Sequence, residues 1–173
     1  MASLVGSRVE RKEDKKFLTG KGRYTADITL AHQTYAVFVR SPHARAQIKK
    51  VDTSKAEKAP GVVAIFTGKD LADDKIGGLI AGWKIVSEDG TDMKVPAHPA
   101  LATESVNYVG DHVAVVIAET LADAKSAADM VKVDYKVLKA VVDTESAMDS
   151  EAIYKDIPKN LCYDWLLGDR AKT

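Results

Sequence analysis

The chain has 173 residues, enough for one domain of ordinary size or for one domain with a tail. Apolar residues make up 46% and charged residues 29%, which is typical of a folded globular protein and excludes a disordered one. The 25 basic and 25 acidic side chains balance, so the net charge favours no class of partner.

The N-terminal arm, residues 1–23, is predicted to be irregular because no apolar period lasts for a helix length. Its stretch "GKGR", residues 20–23, raises the question of a phosphate loop. It lacks the spacing that a P-loop places before its Gly-Lys pair and the third glycine of a dinucleotide fingerprint. We therefore predict ordinary turn chemistry, followed by a strand-like segment at residues 23–28.

Two strands are predicted next. The β-branched and aromatic residues 34–39 predict the first strand, and Pro42 breaks it. Residues 45–52 predict a second, half-exposed strand. One side of it is expected to carry Ala46, Ile48 and Lys50.

A short helix is predicted between this strand and the next. Ser54 and Glu57 have the spacing of a capping box, and Pro60-Gly61 end the helix after one or two turns. Residues 62–68, "VVAIFTG", predict a buried strand. Residues 70–100 are rich in glycine, acidic residues and proline, and predict a long, partly mobile loop.

Order returns with an entirely apolar run at residues 113–118, which predicts a strand covered on both faces. Thr120 is positioned to cap a following helix. The stripe of that helix is expected to contain Leu121, Ala124, Ala128 and Val131. The alternating residues 132–138 predict a last strand with Val133, Tyr135 and Val137 on one face.

This order of elements predicts an α+β fold, a mixed β-sheet with packed helices, over residues 24–143. Residues 144–173 are expected to be an extended linker with one short helix at 145–152. The linker carries an apolar cluster for which nothing in the sequence supplies cover: Leu161, Cys162, Tyr163, Trp165, Leu166 and Leu167. We therefore expect the chain to be part of a longer protein.

Basic side chains are in excess over residues 1–50, but acidic residues interrupt them and no aromatic run is available to stack on bases. A solvated or subunit-facing arm is favoured over nucleic-acid binding. The lone Cys162 excludes an internal disulfide and suits a reducing compartment. No apolar run approaches the ~18 residues of a membrane span, and no secretory signal is present, so we expect a cytoplasmic location.

Residues with catalytic or metal-binding potential do not form a motif. None of the four histidines, His32, His43, His98 and His112, has a second ligand at the short spacing of a zinc site. No serine or cysteine lies in a nucleophile motif. The paired carboxylates at 73–74 and 88–89 lie in the polar loop. We therefore assign no catalytic, cofactor-binding or metal-binding residue to this chain.

Several stretches, in order along the chain, together resemble a known family. They are "RVERKEDKKFLTGKGRYTADI", "FVRSPHARAQIKKVDTSKAEKAPGVVAIFTGKDL", "HPALATESVNYVGDHVAVVIAET" and "AADMVKVDYKVLKAVVD". They are similar to the N-terminal α/β hammerhead domain of the large, molybdenum-binding subunit of the xanthine dehydrogenase and aldehyde oxidase family. The arm and the final "NLCYDWLLGD" resemble the carbon monoxide dehydrogenase-like branch. One local departure is Asp111-His112, where many relatives carry an acidic residue and proline.

The resemblance implies an oxidoreductase, a molybdenum hydroxylase whose chemistry lies outside this chain. The molybdopterin-binding loops and the catalytic glutamate of such subunits follow the hammerhead, and oxygen from water is added to an electron-poor carbon. Partner subunits or domains with iron–sulfur clusters and FAD carry the electrons away. No family site residue has a matching position here. A structural and interface domain is therefore expected, packed against the molybdenum-binding domains; the alternative is a free-standing binding or scaffold module.

Overall fold

The computed structural model describes residues 5–168 and residue 172. The chain divides into two compact units, residues 1–33 and residues 34–173. No helix within the described residues has both the length and the apolar character required to cross a membrane.

The first unit contains more helix than the sequence predicts. Helix α1, Asp14–Leu18, lies within the arm that was expected to be irregular, and the strand-like segment after it contains a 3₁₀ turn, Thr25–Asp27. Both expectations were wrong, because local hydrogen bonds between neighbouring residues stabilise these short turns. The Asp27 carboxylate, for example, accepts the backbone N–H of Tyr24 at 2.9 Å. The predicted turn chemistry is confirmed at Gly20, which lies two residues after the end of α1 and has a φ of 68°.

The second unit is built on two three-stranded sheets with helices beside them, which confirms the α+β class. The first sheet has the order β1-β5-β3, with β1 at Tyr35–Arg40, β3 at Val62–Thr67 and β5 at His112–Ala118. The second has the order β4-β2-β6, with β2 at Ala46–Asp52, β4 at Ser105–Val106 and β6 at Lys132–Val137. All these strand pairs are antiparallel. The helices are α2, Gly68–Asp73, and α3, Leu121–Met130.

The central strand β5 is covered as its apolar run predicts. Val113, Ala114, Val116 and Ala118 are buried, and the residues between them are half-buried. Val113 joins a core cluster with Ala46 and Val106 of the second sheet. Val116 joins another cluster with residues of α3 and β3.

Strand β2 differs from its predicted alternation. The pairing with β6 shifts register between Ile48 and Lys50, which places an extra residue in β2. Such a bulge exchanges the faces of the strand beyond it. Ile48 and Val51 therefore pack on the core, whereas Lys50 is exposed and forms an ion pair with Asp52 at 3.5 Å.

The predicted capping box at Ser54 is not formed. The Asp52 carboxylate instead accepts both the backbone N–H and the hydroxyl of Ser54, at 3.1 and 2.6 Å. This local turn competes with the helix, so only a 3₁₀ turn, Ala56–Lys58, remains. The hydrogen bonds from Ser54 are also the main reason why the pKa of Asp52 is lowered.

Strand β3 and the loop after it also depart from the predictions. Val63 and Phe66 are exposed, so β3 is covered on one face only and the prediction of a buried strand was wrong. The expected loop begins with helix α2, whose first turn is capped reciprocally by Thr67 and Asp70. An antiparallel bridge between Val86 and Asp92 forms further along.

Helix α3 begins where the sequence predicts but buries a slightly different face. The Thr120 hydroxyl accepts the backbone N–H of Asp123 at 3.1 Å, which confirms the N-cap. The buried stripe consists of Ala124, Ala127 and Val131 at i, i+3 and i+7. Leu121 is 44% exposed, so its placement in the stripe was wrong.

The last strand and the C-terminal segment are less regular. Val133 and Tyr135 of β6 are half-buried, but Val137, expected on the same face, is 62% exposed. The helix predicted at residues 145–152 is only a 3₁₀ turn, Ala147–Asp149. Ile157 anchors the segment, because it is only 2% exposed.

Removing the Thr120 cap should destabilise the fold measurably. We expect Thr120→Ala to lower the free energy of unfolding by about 1 kcal/mol, because the Asp123 N–H loses its acceptor. Thr120→Ser retains the hydroxyl and should cost much less. Urea unfolding followed by circular dichroism measures both, and equal losses in the two variants would contradict this role of the cap.

Candidate functional site

A cavity of about 300 Å³, which we call the polar cavity, lies in the second unit. Loop segments 79–81 and 95–99 form its apolar walls, and the connection from β4 to β5 supplies three of its six polar side chains. The two loop segments are held together by the Leu79 N–H, which donates to the His98 carbonyl at 2.8 Å. A side chain at Gly78 would collide with that carbonyl, so glycine permits this close approach. The polar lining side chains are His98, Ser105, Asn107, Tyr108, Asp111 and Tyr154.

The polar side chains of the cavity are joined by hydrogen bonds. The Asp111 carboxylate is 7% exposed and accepts the backbone N–H of Asn107 at 3.1 Å. The Asn107 side-chain amide donates to the Tyr154 hydroxyl at 3.2 Å, although Tyr154 lies far along the chain. His98 Nε2 and the Tyr108 hydroxyl form a third pair at 3.3 Å. The cavity wall is therefore a connected polar network.

The two phenols of this network remain protonated at neutral pH. Burial raises the pKa of Tyr108, and the negative charge of Asp111 raises it further. Burial also raises the pKa of Tyr154, against the opposing effect of its hydrogen bond from Asn107. Both hydroxyl groups therefore keep a proton and can act as hydrogen-bond donors.

Next to Asp111, His112 begins strand β5 and lies against the neighbouring strand. Its ring stacks on Phe38 with a centroid distance of 4.4 Å and an interplanar angle of 20°. The Arg40 guanidinium lies 5.9 Å from the centre of the same Phe38 ring. Burial lowers the pKa of His112, and the positive charge of Arg40 lowers it further.

A second feature joins the loop to the C-terminal segment. Residues 85–93 form a short hairpin, in which the Met93 N–H donates to the Ile85 carbonyl at 2.8 Å. The C-terminal segment pairs with it, because the Glu88 and Lys94 N–H groups donate to the Asp164 and Cys162 carbonyls, each at 2.9 Å. The long loop predicted at residues 70–100 therefore contains a short hairpin that pairs with the C-terminal segment, and its partial mobility stays a prediction.

The pairing leaves large apolar side chains in contact with solvent. We call this region the hairpin–tail surface. It consists of Trp83, Val86, Val95, Tyr163, Trp165, Leu166 and Leu167, all of which are exposed. Trp83 is 75% and Trp165 51% exposed, and these are the only two tryptophans of the sequence. Four residues of the predicted apolar cluster of the tail, Tyr163, Trp165, Leu166 and Leu167, are thus exposed, as the sequence predicts.

The four histidines do not meet. His32 lies in the first unit, while His43 contacts the edge of the Tyr135 ring, His98 lines the polar cavity and His112 stacks on Phe38. Within the described part of the chain, no group of three or more His, Cys, Asp or Glu side chains is arranged to hold a metal ion. The carboxylates at 73–74 and 88–89 are exposed.

Comparison with known proteins shows to which family this architecture belongs. The profile described as "Aldehyde oxidase and xanthine dehydrogenase, a/b hammerhead domain" matches residues 19–139. The chain belongs to this family. The predicted resemblance is therefore confirmed, and the two-sheet unit with α3 lies in the hammerhead region.

The hammerhead is similar to proteins with several named activities. The chain is 38% identical over 146 residues to the nicotine 6-hydroxylase large subunit of Paenarthrobacter nicotinovorans, and the match covers 84% of this chain and 17% of that protein. The crystal structure of quinoline 2-oxidoreductase from Pseudomonas putida 86 matches with a TM-score of 0.75 and 36% identity, over 85% of this chain and 18% of that chain. A Cu,Mo-CO dehydrogenase structure matches with a TM-score of 0.71 and 34% identity, over 91% of this chain and 19% of that one.

The chain spans only about a fifth of the length of the relatives it matches. The described residues do not fit a metal centre, because they contain no suitable cluster of ligands. The geometry supports hydrogen bonding in the polar cavity and apolar packing on the hairpin–tail surface.

The stacked His112 should make stability depend on pH. Its pKa is lowered in the fold, so its neutral form is favoured there. The free energy of unfolding should have its full value above about pH 6.5, the pKa of an unfolded histidine. It should fall as the pH drops from there towards the lower pKa of His112 in the fold. His112→Phe keeps an aromatic ring next to Phe38 and should flatten this dependence. Urea midpoints measured from pH 7.5 to 5 provide the test.

The matched control is His32→Asn. His32 has a φ of 58°, a conformation that asparagine tolerates well, and it lies in the other unit. This variant should retain the slope of the wild-type chain. A flattened slope in His32→Asn, or an unchanged slope in His112→Phe, would show that another group controls this pH range.

Proposed function

We propose that this chain is the N-terminal hammerhead part of a molybdenum hydroxylase large subunit that oxidises aldehydes, purines, other heterocycles or carbon monoxide. Its role is that of a structural and interface domain, with the catalytic machinery in other parts of the subunit. The family match over residues 19–139 and the large subunits among its relatives support this assignment.

The hairpin–tail surface is the observation that carries the proposed role. Two tryptophans and several aliphatic side chains are exposed together there, although their transfer from water is favourable. Large exposed apolar side chains that gather in one region mark contact sites on proteins. We propose that the molybdenum-binding domains of the same large subunit cover it.

The cofactor and the electron-transfer partners belong to the same proposal. A Cu,Mo-CO dehydrogenase among the structural relatives supports molybdopterin in the parent subunit. Iron–sulfur and FAD subunits or domains would receive the electrons, in the cytoplasm. Molybdopterin would supply the redox chemistry, whereas the residues of this chain would pack, orient and exclude water. Since the described residues offer no metal-binding cluster, we assign none of them to the cofactor.

An apolar-to-polar substitution tests the contact role. Leu167 is 83% exposed on the hairpin–tail surface, and Val142 is 84% exposed outside it. Leu167→Ser should decrease the binding of a hydrophobic dye and the self-association seen by sedimentation, because it removes an exposed apolar side chain from this surface. Val142→Ser removes an equally exposed apolar side chain outside this surface and should change neither. A wild-type chain that is strictly monomeric and binds no dye would remove the basis of the proposal.

Metal content tests where the chemistry resides. The purified 173-residue chain should contain no stoichiometric molybdenum and should show no hydroxylase turnover. Stoichiometric molybdenum in elemental analysis would contradict the proposed division of labour. The free-standing scaffold is distinguished by the gene, because a reading frame that continues into molybdenum-binding domains supports the large-subunit assignment.

A further inference from the structure

The polar cavity presents a hydrogen-bond donor and a hydrogen-bond acceptor to the same space. The Tyr154 oxygen accepts the Asn107 amide at 3.2 Å, which leaves the phenolic proton for donation to another group. The Asp111 carboxylate has two oxygens; it accepts the Asn107 backbone N–H at 3.1 Å and also bonds with the Tyr108 hydroxyl. A carboxylate offers about four lone-pair positions, so it has capacity for a further donor.

The remaining lining of the cavity is mostly apolar. It includes Pro96 and Pro99 together with Leu79 and Ile80, which are also largely exposed to solvent. The volume of about 300 Å³ lies at the lower end of the range for small-molecule sites, ~300–1,000 Å³. Such sites combine apolar walls with a few placed polar groups that select the ligand.

We propose that the polar cavity binds a small, uncharged molecule that carries both an N–H and a C=O group, as a cyclic amide does. The N–H would donate to the Asp111 carboxylate, and the carbonyl would accept the Tyr154 hydroxyl proton. An anion would be repelled by Asp111, which is 7% exposed, and an ammonium group would leave the Tyr154 proton without an acceptor. The proposed packing role rests on the hairpin–tail surface, which shares only Val95 with this cavity, so the two proposals are tested separately.

A pair of probes separates hydrogen bonding from simple apolar filling. Oxindole carries the cyclic amide, whereas indane has the same bicyclic frame without it. Titration of the isotope-labelled 173-residue chain should shift the amide resonances of Asn107 and Asp111 with oxindole. Indane should bind at least about tenfold more weakly, since two hydrogen bonds of about 1 kcal/mol each are lost. Equal binding of the two probes, or no saturable shift with oxindole, would overturn the proposal.

A matched pair of tyrosine variants tests the donor. Tyr154→Phe removes only the hydroxyl and should weaken oxindole binding by about fivefold, since one hydrogen bond of about 1 kcal/mol is lost. Tyr163→Phe removes a hydroxyl outside the cavity and should leave the binding unchanged. Unchanged affinity in Tyr154→Phe, with the resonances outside the cavity preserved, would exclude the proposed donor. If that variant does not fold, the comparison of oxindole and indane on the wild-type chain still decides.

Discussion

Strand β5 is the element on which the second unit depends. It lies between β1 and β3, and it contributes one buried valine to each of the two core clusters. The register with β1 passes from Val39 opposite Ala114 to Arg40 opposite His112, so Val113 is the extra residue of a bulge. A bulge redirects the strand around it, which allows one short strand to serve two clusters. The polar cavity and helix α3 are positioned by the two ends of this strand.

The beginning of β5 links the core to the polar cavity. The Ser41 N–H donates to the Asp111 carbonyl at 2.8 Å, and the Gly110 N–H donates to the Ser41 carbonyl at the same distance. These reciprocal bonds fix the residues just before β5 against the end of β1. The Asp111 side chain is therefore held in a buried position by strand pairing, before any of its own hydrogen bonds are considered. Backbone pairing at the end of the sheet therefore fixes the position of Asp111 in the polar cavity.

Local signals in the sequence were sufficient for the main elements of the fold. The apolar run at 113–118 and the cap at Thr120 predicted β5 and the start of α3, because their causes lie within a few neighbouring residues. Ser54 shows the limit of such signals. Its capping-box spacing was correct, but Asp52, two residues upstream, competes for the same hydrogen bonds. The bulge in β2 is likewise set by its pairing with β6, which no local period reveals.

The polar cavity was not predictable for a related reason. Asn107 and Tyr154 meet through a hydrogen bond across a long stretch of chain, and neither lies in a spacing motif. His98 has no metal-ligand partner at short spacing in the sequence, whereas the structure pairs it with Tyr108. A site assembled from four separate segments leaves no periodic trace in the sequence. Only the tertiary path of the loop brings its donors and acceptors together.

The hairpin and tail show how polar backbone and apolar side chains can be satisfied separately. The backbone groups of Glu88 and Lys94 pair with carbonyls of the tail, so these peptide groups need no outside partner. The side chains of Trp165 and Leu167 gain little from this pairing, since both remain exposed. If pairing alone had to hold the tail, polar side chains would serve equally well and would avoid the cost of exposing apolar area to water. The combination of an ordered backbone and exposed apolar side chains therefore gives the proposed contact surface a fixed shape in the chain by itself.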